Sequence, residues 1–164
     1  MFAAVDVHYG DTRVVAAAVV FAGWTDELAA GEVVNHHPPD AAPYTPGAFY
    51  ERELPYLLAL IAQLRSPIDA VVIDGYVWLG PDRAGLGKHL HDRIGLPIIG
   101  VAKTSFAGAV ATEVVRGESA QPLYITAIGI DEATAAANVR DMHGPFRLPT
   151  LLKRVDSLAR GHAA

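Results

Sequence analysis

The hexapeptide DAVVID, residues 69–74, decides the fold class of this chain. Its four inner residues are all apolar, without the polar alternation of a half-exposed strand, which is typical of a strand buried on both faces of a sheet. A second run of this kind, PIIGVA, occupies residues 97–102, and residues 85–94 between the two runs have a helical pattern. Because helices must cover both faces of such a sheet, the pattern predicts an α/β fold.

The segments on either side extend this pattern into one mixed β-sheet flanked by helices. Further strands are predicted over residues 2–9, 12–21, 27–35 and 123–130. Further helices are predicted over residues 49–65, 131–142 and 150–159. Residues 36–47 contain four prolines and residues 75–84 lack periodicity, so both segments are expected to be loops. No internal repeat divides the chain, and we interpret residues 1–164 as a single domain.

The charge balance excludes the strongly basic proteins that bind nucleic acid through their overall field. Lys and Arg total 13 against 18 Asp and Glu, a net charge of −5, so a polyanionic partner must be held by a local patch or by metal ions. The absence of cysteine excludes disulfides and thiolate metal sites. The longest apolar runs, residues 14–24 and 54–61, are shorter than the roughly 20 residues of a membrane helix. The N-terminal MFAAVDVHY lacks a basic region, so we expect no signal peptide, no membrane contact and a cytoplasmic location.

Three acidic residues stand where a core requires apolar side chains. Asp6 lies within an apolar strand, and Asp74 ends the DAVVID strand. Glu53 lies on the apolar stripe of its predicted helix, together with Leu57, Leu60 and Leu64. Burying an unpaired carboxylate costs several kcal/mol, on the order of 3 or more. Three such residues favour a shared cation, and carboxylate oxygens suit Mg²⁺ or Mn²⁺.

Each of these residues taken alone also has an ordinary interpretation. Asp74 is placed as a strand-end cap or turn residue would be, and Asp6 as a residue that faces solvent. Glu53 is placed as a first-turn acid favoured by the helix dipole. Lys103 follows the PIIGVA strand at its carboxyl end, where open α/β sheets bind ligands. Such a lysine is suited to hold a phosphate or to steady an attacking water, but it is equally placed as a solvated strand-end residue.

A set of short motifs in a fixed order connects these residues. The chain reads DVHY near its start, then PYTPG, YERELP, VIDGY and GLPIIGVAK, and it ends with FRLPTLLKRVD. In this order and at this spacing the chain resembles the endonuclease V family from Ala3 to about Asp156. The resemblance implies an RNase H-like fold and an endonuclease that depends on Mg²⁺, with Mn²⁺ able to substitute. The implied partner is DNA or RNA that contains a deaminated base, deoxyinosine or inosine. The implied cut is at the second phosphodiester bond on the 3′ side of that base, in DNA repair or RNA processing.

The resemblance also implies roles for individual residues. The catalytic residues are Asp6, Glu53, Asp74 and Lys103. The metal ligands are Asp6, Glu53, Asp74 and, at the tail position near the metal, Asp156. The wedge that props the strand open where the base leaves the stack is Pro43, Tyr44, Thr45 and Pro46. Gly47 belongs to the pocket for the flipped base, and Gly75 and His89 are further substrate-binding positions.

One segment departs from the family pattern. Residues 74–89 read DGYVWLGPDRAGLGKH, whereas the family reads near DGHGxxHPRxxGxAxH. Tyr76 and Val77 stand in place of a histidine and a glycine, and Gly80 and Asp82 in place of the histidine and arginine of HPR. Two alternatives to an inosine-specific nuclease follow. One is a catalytically weak or non-catalytic relative that binds nucleic acid, and the other is a nuclease for other damaged or branched structures.

Overall fold

The structure, a computed structural model, describes residues 1–39 and 48–162. Its strands are β1 Phe2–Tyr9, β2 Val14–Phe21, β3 Gly31–His37, β4 Ala70–Asp74, β5 Trp78–Gly80, β6 Arg83–Ala84, β7 Ile98–Ala102, β8 Thr112–Val114 and β9 Leu123–Ile128. Its helices are α1 Phe49–Ile61, α2 Leu86–Ile94, α3 Glu132–Asp141 and α4 Thr150–Ala159. In the described part of the chain, no helix is long and apolar enough to span a bilayer.

Seven of these strands form one mixed sheet in the order β3-β2-β1-β4-β7-β9-β8. The three central strands β1, β4 and β7 run parallel to one another. The outer pairs are antiparallel. The predicted α/β fold with one mixed sheet flanked by helices is confirmed. DAVVID and PIIGVA are both central parallel strands, which is why their residues are apolar on both faces.

Two helical layers cover the sheet, and the period-2 alternation of the strands assigns each apolar residue to one of them. Ala4 and Val72 pack in the cluster formed with α3 and α4. Val5 and Val71, their neighbours in sequence, pack in the cluster formed with α1 and α2. Because apolar clusters cover both faces of the sheet, a polar site that solvent can reach is expected at the ends of the strands.

Some boundaries differ from the prediction. Helix α1 ends at Ile61 rather than at residue 65, because the chain turns at residues 62–63. Residues 75–84 were expected to be a loop but contain the hairpin of β5 and β6. Strands of two and three residues carry too little periodicity to be recognised in a sequence. The proline-rich PYTPG segment, residues 43–47, lies outside the described residues.

Three glycines allow the segment that follows β4 to lie directly against its neighbours. A Cβ atom at Gly85 would lie 2.5 Å from the carbonyl oxygen of Tyr76, and one at Gly100 would lie 2.5 Å from that of Gly75. Neither distance is accessible to a real side chain. The glycines therefore permit a close approach of backbone to backbone just beyond Asp74.

Gly87 makes the same kind of approach to a side chain, and it provides a test of this packing. A Cβ at Gly87 would lie 2.7 Å from Cγ2 of Val77, which is completely buried. We expect Gly87→Ala to lower the free energy of unfolding by about 1–3 kcal/mol, because overpacking forces neighbouring groups to shift. Gly31→Ala is the matched control, since a Cβ there meets nothing within 4 Å. Urea denaturation of both variants checks the prediction, and equal stability of the two would contradict it.

Candidate active site

The parallel centre of the sheet brings three polar residues to one edge. Asp6 lies in the second half of β1, Asp74 is the last residue of β4, and Lys103 directly follows β7. Because β1, β4 and β7 are adjacent and parallel, their carboxyl ends lie side by side. Open α/β sheets bind ligands at such an edge, where loops leave polar side chains above the ends of the strands.

Lys103 joins two carboxylates at this edge. Its ammonium lies 2.8 Å from Oδ2 of Asp74 and 3.4 Å from Oδ1 of Asp156, which α4 contributes. Arg160, which directly follows α4, lies 3.0 Å from the other oxygen of Asp156. Burial alone would lower the pKa of Lys103, but its contacts with Asp74 and Asp156 raise it overall. Burial alone would raise the pKa of Asp156, but the hydrogen bond from Arg160 and the charge of Lys103 lower it overall.

The protonation of Asp6 is controlled by its burial and by the charged groups around it. Burial, together with the negative charges of Asp74 and Asp156, raises the pKa of Asp6 to about 7. The backbone N–H of Val7, which donates to Oδ1 of Asp6 at 2.9 Å, and the charge of Lys103 act against this shift. The carboxyl of Asp6 therefore titrates near neutral pH.

Glu53 approaches the same edge from helix α1. The sequence places it on the stripe of α1 that faces the sheet, and its side chain is only 7% exposed. Burial and the charges of Asp6 and Asp74, opposed by the charge of Arg52, raise the pKa of Glu53 to about 8. The charges of Asp6 and Asp74 thus act on the buried Glu53 across a medium that screens them less than water does.

The side chains at this edge have the chemistry that a hard divalent cation requires. Asp6, Glu53, Asp74 and Asp156 offer only carboxylate oxygens, the ligands that Mg²⁺ and Mn²⁺ prefer. Mutual repulsion contributes to the raised pKa of Asp6 and Glu53, so this edge carries negative charge that a cation would offset. Across residues 1–39 and 48–162, no three Asp, Glu or His side chains already form a metal cage. Lys103 instead joins Asp74 to Asp156. A divalent cation thus meets suitable ligands but no preassembled cage.

The segment beyond Asp74 is fixed by backbone contacts. Gly75 adopts φ +135°, a conformation that residues with a side chain rarely adopt, and the chain bends immediately after the carboxylate. The N–H of Val77 donates to Oγ1 of the completely buried Thr126 at 2.8 Å. The hydroxyl of Tyr76 donates to the carbonyl of Thr104 at 2.7 Å. These bonds tie the segment to strand β9 and to the residues that follow Lys103.

A cavity of about 250 Å³ opens beside Asp74. It is lined by Phe49, Tyr50, Asp74, Gly75, Tyr76, Leu79, Arg83, Gly85, Leu86 and Phe106. Phe49 and Phe106 are 45% and 38% exposed, so they present aromatic surface to solvent. The guanidinium of Arg83 lies 5.5 Å from the centre of the Phe106 ring. A planar ring in this cavity would meet apolar walls, aromatic surfaces for stacking and one positive charge.

The structure brings some of the predicted site residues together and not others. Asp6, Asp74, Lys103 and Asp156 line one narrow cleft. Glu53 acts on this group electrostatically from α1. Gly75 lines the neighbouring cavity. His89 does not line it, but its ring stacks on that of Tyr50, with centroids 3.7 Å apart. The predicted wedge and pocket residues Pro43, Tyr44, Thr45, Pro46 and Gly47 lie outside the described residues.

Several contacts that shape the site were not identified in the sequence. Arg147 donates to the carbonyl of Lys103, and Tyr76 to that of the next residue. Arg160 pairs with Asp156. The i,i+4 spacing of Asp156 and Arg160, at the C-terminal end of a predicted helix, is a local signal that could have revealed this pair. The contacts of Arg147 and Tyr76 have no such signal, because their partners are 44 and 28 residues away.

A family model described as Endonuclease V matches residues 1–154 of the chain. The chain belongs to the endonuclease V family. Endonuclease V of Streptomyces avermitilis is 36% identical to it over 185 aligned positions, which cover 95% of this chain and 77% of that protein. As a member of the endonuclease V family, the chain is a nuclease and therefore a hydrolase.

Two crystal structures of endonuclease V extend the comparison to the fold. The structure of the Streptomyces avermitilis enzyme matches with a TM-score of 0.76 at 30% identity, covering 98% of this chain and 79% of that one. Ciona intestinalis endonuclease V, in complex with DNA containing an inosine followed by a ribo-adenosine, matches with a TM-score of 0.79 at 17% identity. That match covers 98% of this chain and 84% of the Ciona chain, and at this identity it concerns the fold alone. The fold shared by these endonuclease V structures is RNase H-like.

Proposed function

We propose that this chain is a metal-dependent endonuclease that hydrolyses a phosphodiester bond on the 3′ side of a deaminated base. The observation that carries the proposal is the meeting of Asp6, Asp74, Lys103 and Asp156 in one cleft. The buried Glu53 belongs to the same group electrostatically, because the charges of Asp6 and Asp74 help to raise its pKa. This arrangement lies at the carboxyl edge of the sheet in a member of the endonuclease V family. The substrate would be DNA or RNA containing deoxyinosine or inosine, in DNA repair or RNA processing.

The proposed cofactor is Mg²⁺, with Mn²⁺ able to substitute. Asp6, Glu53 and Asp74 would hold it, with Asp156 as the fourth carboxylate of the cleft. The chemistry that such a cation supplies is the activation of water and the neutralisation of charge that builds on the phosphate. Asp6 and Glu53 must lose their protons to act as ligands, so binding of the cation is expected to strengthen as the pH rises through 7 to 8.

Lys103 has the proposed role of fixing an anionic oxygen. Its ammonium is held by Asp74 and Asp156 rather than released to solvent, and its raised pKa keeps it charged at neutral pH. A charged donor in a fixed position at the phosphate stabilises the transition state without the cost of reorientation. Asp156 keeps this ammonium in place from the side of α4.

The cavity beside Asp74 is the proposed binding place for the deaminated base. It borders the carboxylate directly, so a base held there leaves the following phosphodiester bonds near the cleft. Its exposed rings Phe49 and Phe106 offer stacking to a base that has left its helix, and Arg83 offers a donor to a base carbonyl. Hypoxanthine pairs weakly, which lowers the cost of removing it from the stack. The inosine-containing DNA bound by Ciona intestinalis endonuclease V supports this class of substrate.

The first experiment uses end-labelled oligonucleotides that carry one inosine, as DNA and as RNA, with Mg²⁺ or Mn²⁺. We expect a single cut one nucleotide beyond the inosine in at least one of them, lost when EDTA removes the metal. Unmodified oligonucleotides of the same sequence are the control. Equal cutting of the control would contradict the specificity for a deaminated base, and no cutting at all would contradict the nuclease proposal for this substrate.

Two further arms of this experiment address the altered segment at residues 75–83. Tight binding of the inosine oligonucleotide without cutting would identify a relative that binds nucleic acid without catalysis. Cutting of a flap or a mismatch in preference to inosine would identify a nuclease for other damaged or branched structures. Tyr76 in this segment motivates both arms, because it lines the cavity at a position where the family pattern has a histidine.

A further inference from the structure

Two side chains from distant segments hold the backbone at Lys103. A single guanidinium nitrogen, Nη2 of Arg147, donates both to the carbonyl of Lys103 and, at 2.7 Å, to the carbonyl of Pro122. The hydroxyl of Tyr76 donates to the next carbonyl along the chain, that of Thr104, at 2.7 Å. Two consecutive carbonyls are therefore held by donors from two separate segments.

This part of the chain needs such support. The last residue of β7 in register with its partner strand is Ala102, opposite Tyr124 of β9, so Lys103 lies just beyond the ladder. A lysine side chain has four rotatable carbon bonds, and the position of its ammonium depends on where its Cα is held. Without a fixed backbone, the ammonium would not remain at hydrogen-bond distance from both Asp74 and Asp156.

The segment that carries Arg147 is itself held from the core. Arg116 is only 6% exposed and donates to backbone carbonyls at both ends of the turn between α3 and α4. Its acceptors are the carbonyls of Arg140, Met142, Gly144, Phe146 and Arg147. A buried guanidinium satisfied by several carbonyls fixes the shape of a turn that has no sheet or helix bonds of its own. Arg147 therefore reaches Lys103 from a rigid support.

We propose that Tyr76 and Arg147 are positioning residues that fix the Lys103 ammonium between Asp74 and Asp156 by holding the carbonyls of residues 103 and 104. The proposal rests on the role given to Lys103 in the proposed function. The proposal also explains why a tyrosine occupies position 76, where the family pattern has a histidine. The tyrosine hydroxyl reaches the carbonyl of Thr104, 28 residues away in the chain. Neither residue needs to touch the substrate for this role.

The test compares Tyr76→Phe with the wild-type chain in two measurements. Cleavage of the inosine oligonucleotide is expected to show kcat lowered about 10-fold, as a loss of roughly 1.4 kcal/mol in transition-state stabilisation implies. KM is expected to stay within about 2-fold, because the ring of Tyr76 still lines the cavity. Limited trypsin digestion, followed by mass spectrometry, is expected to cut several-fold faster after Lys103, because the peptide bond there opens more often.

Matched variants separate positioning from general effects. Tyr124→Phe removes a phenol oxygen from the neighbouring strand β9, and that oxygen forms no hydrogen bond within the described residues. Arg147→Met removes the donor to the carbonyls of Lys103 and Pro122, whereas Arg147→Lys retains a cation and is expected to recover part of kcat. Arg154→Met removes an arginine of α4 that pairs with Glu32, outside the cleft. Both controls are expected to leave kcat and trypsin cutting after Lys103 unchanged.

The outcomes distinguish this proposal from the function on which it rests. An unchanged kcat and unchanged trypsin cutting in Tyr76→Phe would overturn the positioning role. A raised KM with unchanged kcat would also overturn it, because Tyr76 would then act by binding the substrate. If the wild-type chain cuts none of the oligonucleotides, the proposed function fails. The trypsin measurement on Tyr76→Phe then decides the positioning role by itself, even if the Arg147 variants do not fold.

Discussion

Replacing Asp74 by asparagine is expected to abolish metal-dependent cleavage, with kcat lowered by about 10³-fold or more. Asp74 ends the central strand β4, forms an ion pair with Lys103 and borders both the cleft and the cavity. Asparagine has the same shape but no charge, so it would weaken the set of cation ligands and free the Lys103 ammonium from one of its two partners. The measurement is the single-turnover rate on the inosine oligonucleotide at saturating Mg²⁺.

Asp92→Asn is the matched control for this change. Asp92 is an exposed residue of α2 that pairs with Lys88, so its replacement removes the same charge from the chain without reaching the cleft. We expect the control to cleave at the wild-type rate. Cleavage by Asp74→Asn at the wild-type rate, with both variants folded by circular dichroism, would show that the catalytic site has been assigned to the wrong edge of the sheet.

Removal of divalent cations is expected to make the stability of the protein fall as the pH rises. The pKa of Glu53 is raised from 4.5 to about 8, and that of Asp6 from 3.8 to about 7. A carboxyl whose pKa is higher in the folded state than in the unfolded state binds its proton more tightly when folded. Its contribution to stability is therefore fully present below the unfolded pKa and is lost as the pH rises through the folded pKa. The window runs from about pH 4 to about pH 8.

Glu53→Gln isolates this effect from the other titrating groups. Glutamine mimics the protonated side chain, so in EDTA at pH 8.5 the variant is expected to be more stable than the wild type by about 2–4 kcal/mol. The difference should shrink toward zero at pH 4. Mg²⁺ at pH 8.5 is expected to stabilise the wild type through its carboxylate ligands and to stabilise the variant less. Urea denaturation at both pH values, with EDTA or Mg²⁺, measures all of these differences.

Glu51→Gln provides the control on the same helix. Glu51 lies in the first turn of α1 but is exposed to solvent. We expect its replacement to leave the difference between pH 4 and pH 8.5 as it is in the wild type. If the difference in stability between the wild type and Glu53→Gln is the same at pH 4 and pH 8.5, Glu53 is not a buried carboxyl group whose charging destabilises the fold.

Much of the fold could be predicted because its pattern is local. The residues of β4 and β7 are apolar without alternation, and this property depends only on the chain within each strand. The same is true of Glu53, which the helical period places among Leu57 and Leu60 on the buried face of α1. The hairpin of β5 and β6 was missed because two or three residues carry no measurable period.

The amino-acid sequence by itself determined the central strands, the buried face of α1 and the acidic residues that interrupt them, since each depends on neighbours a few positions away. Only the tertiary structure decided that Asp6, Asp74, Lys103 and Asp156 share one cleft, because that depends on the parallel order of β1, β4 and β7 and on the docking of α4. It also decided which residues hold Lys103 in place. Arg147 lies 44 residues from Lys103 in the chain, and a hydrogen bond across that separation forms only when packing closes the distance.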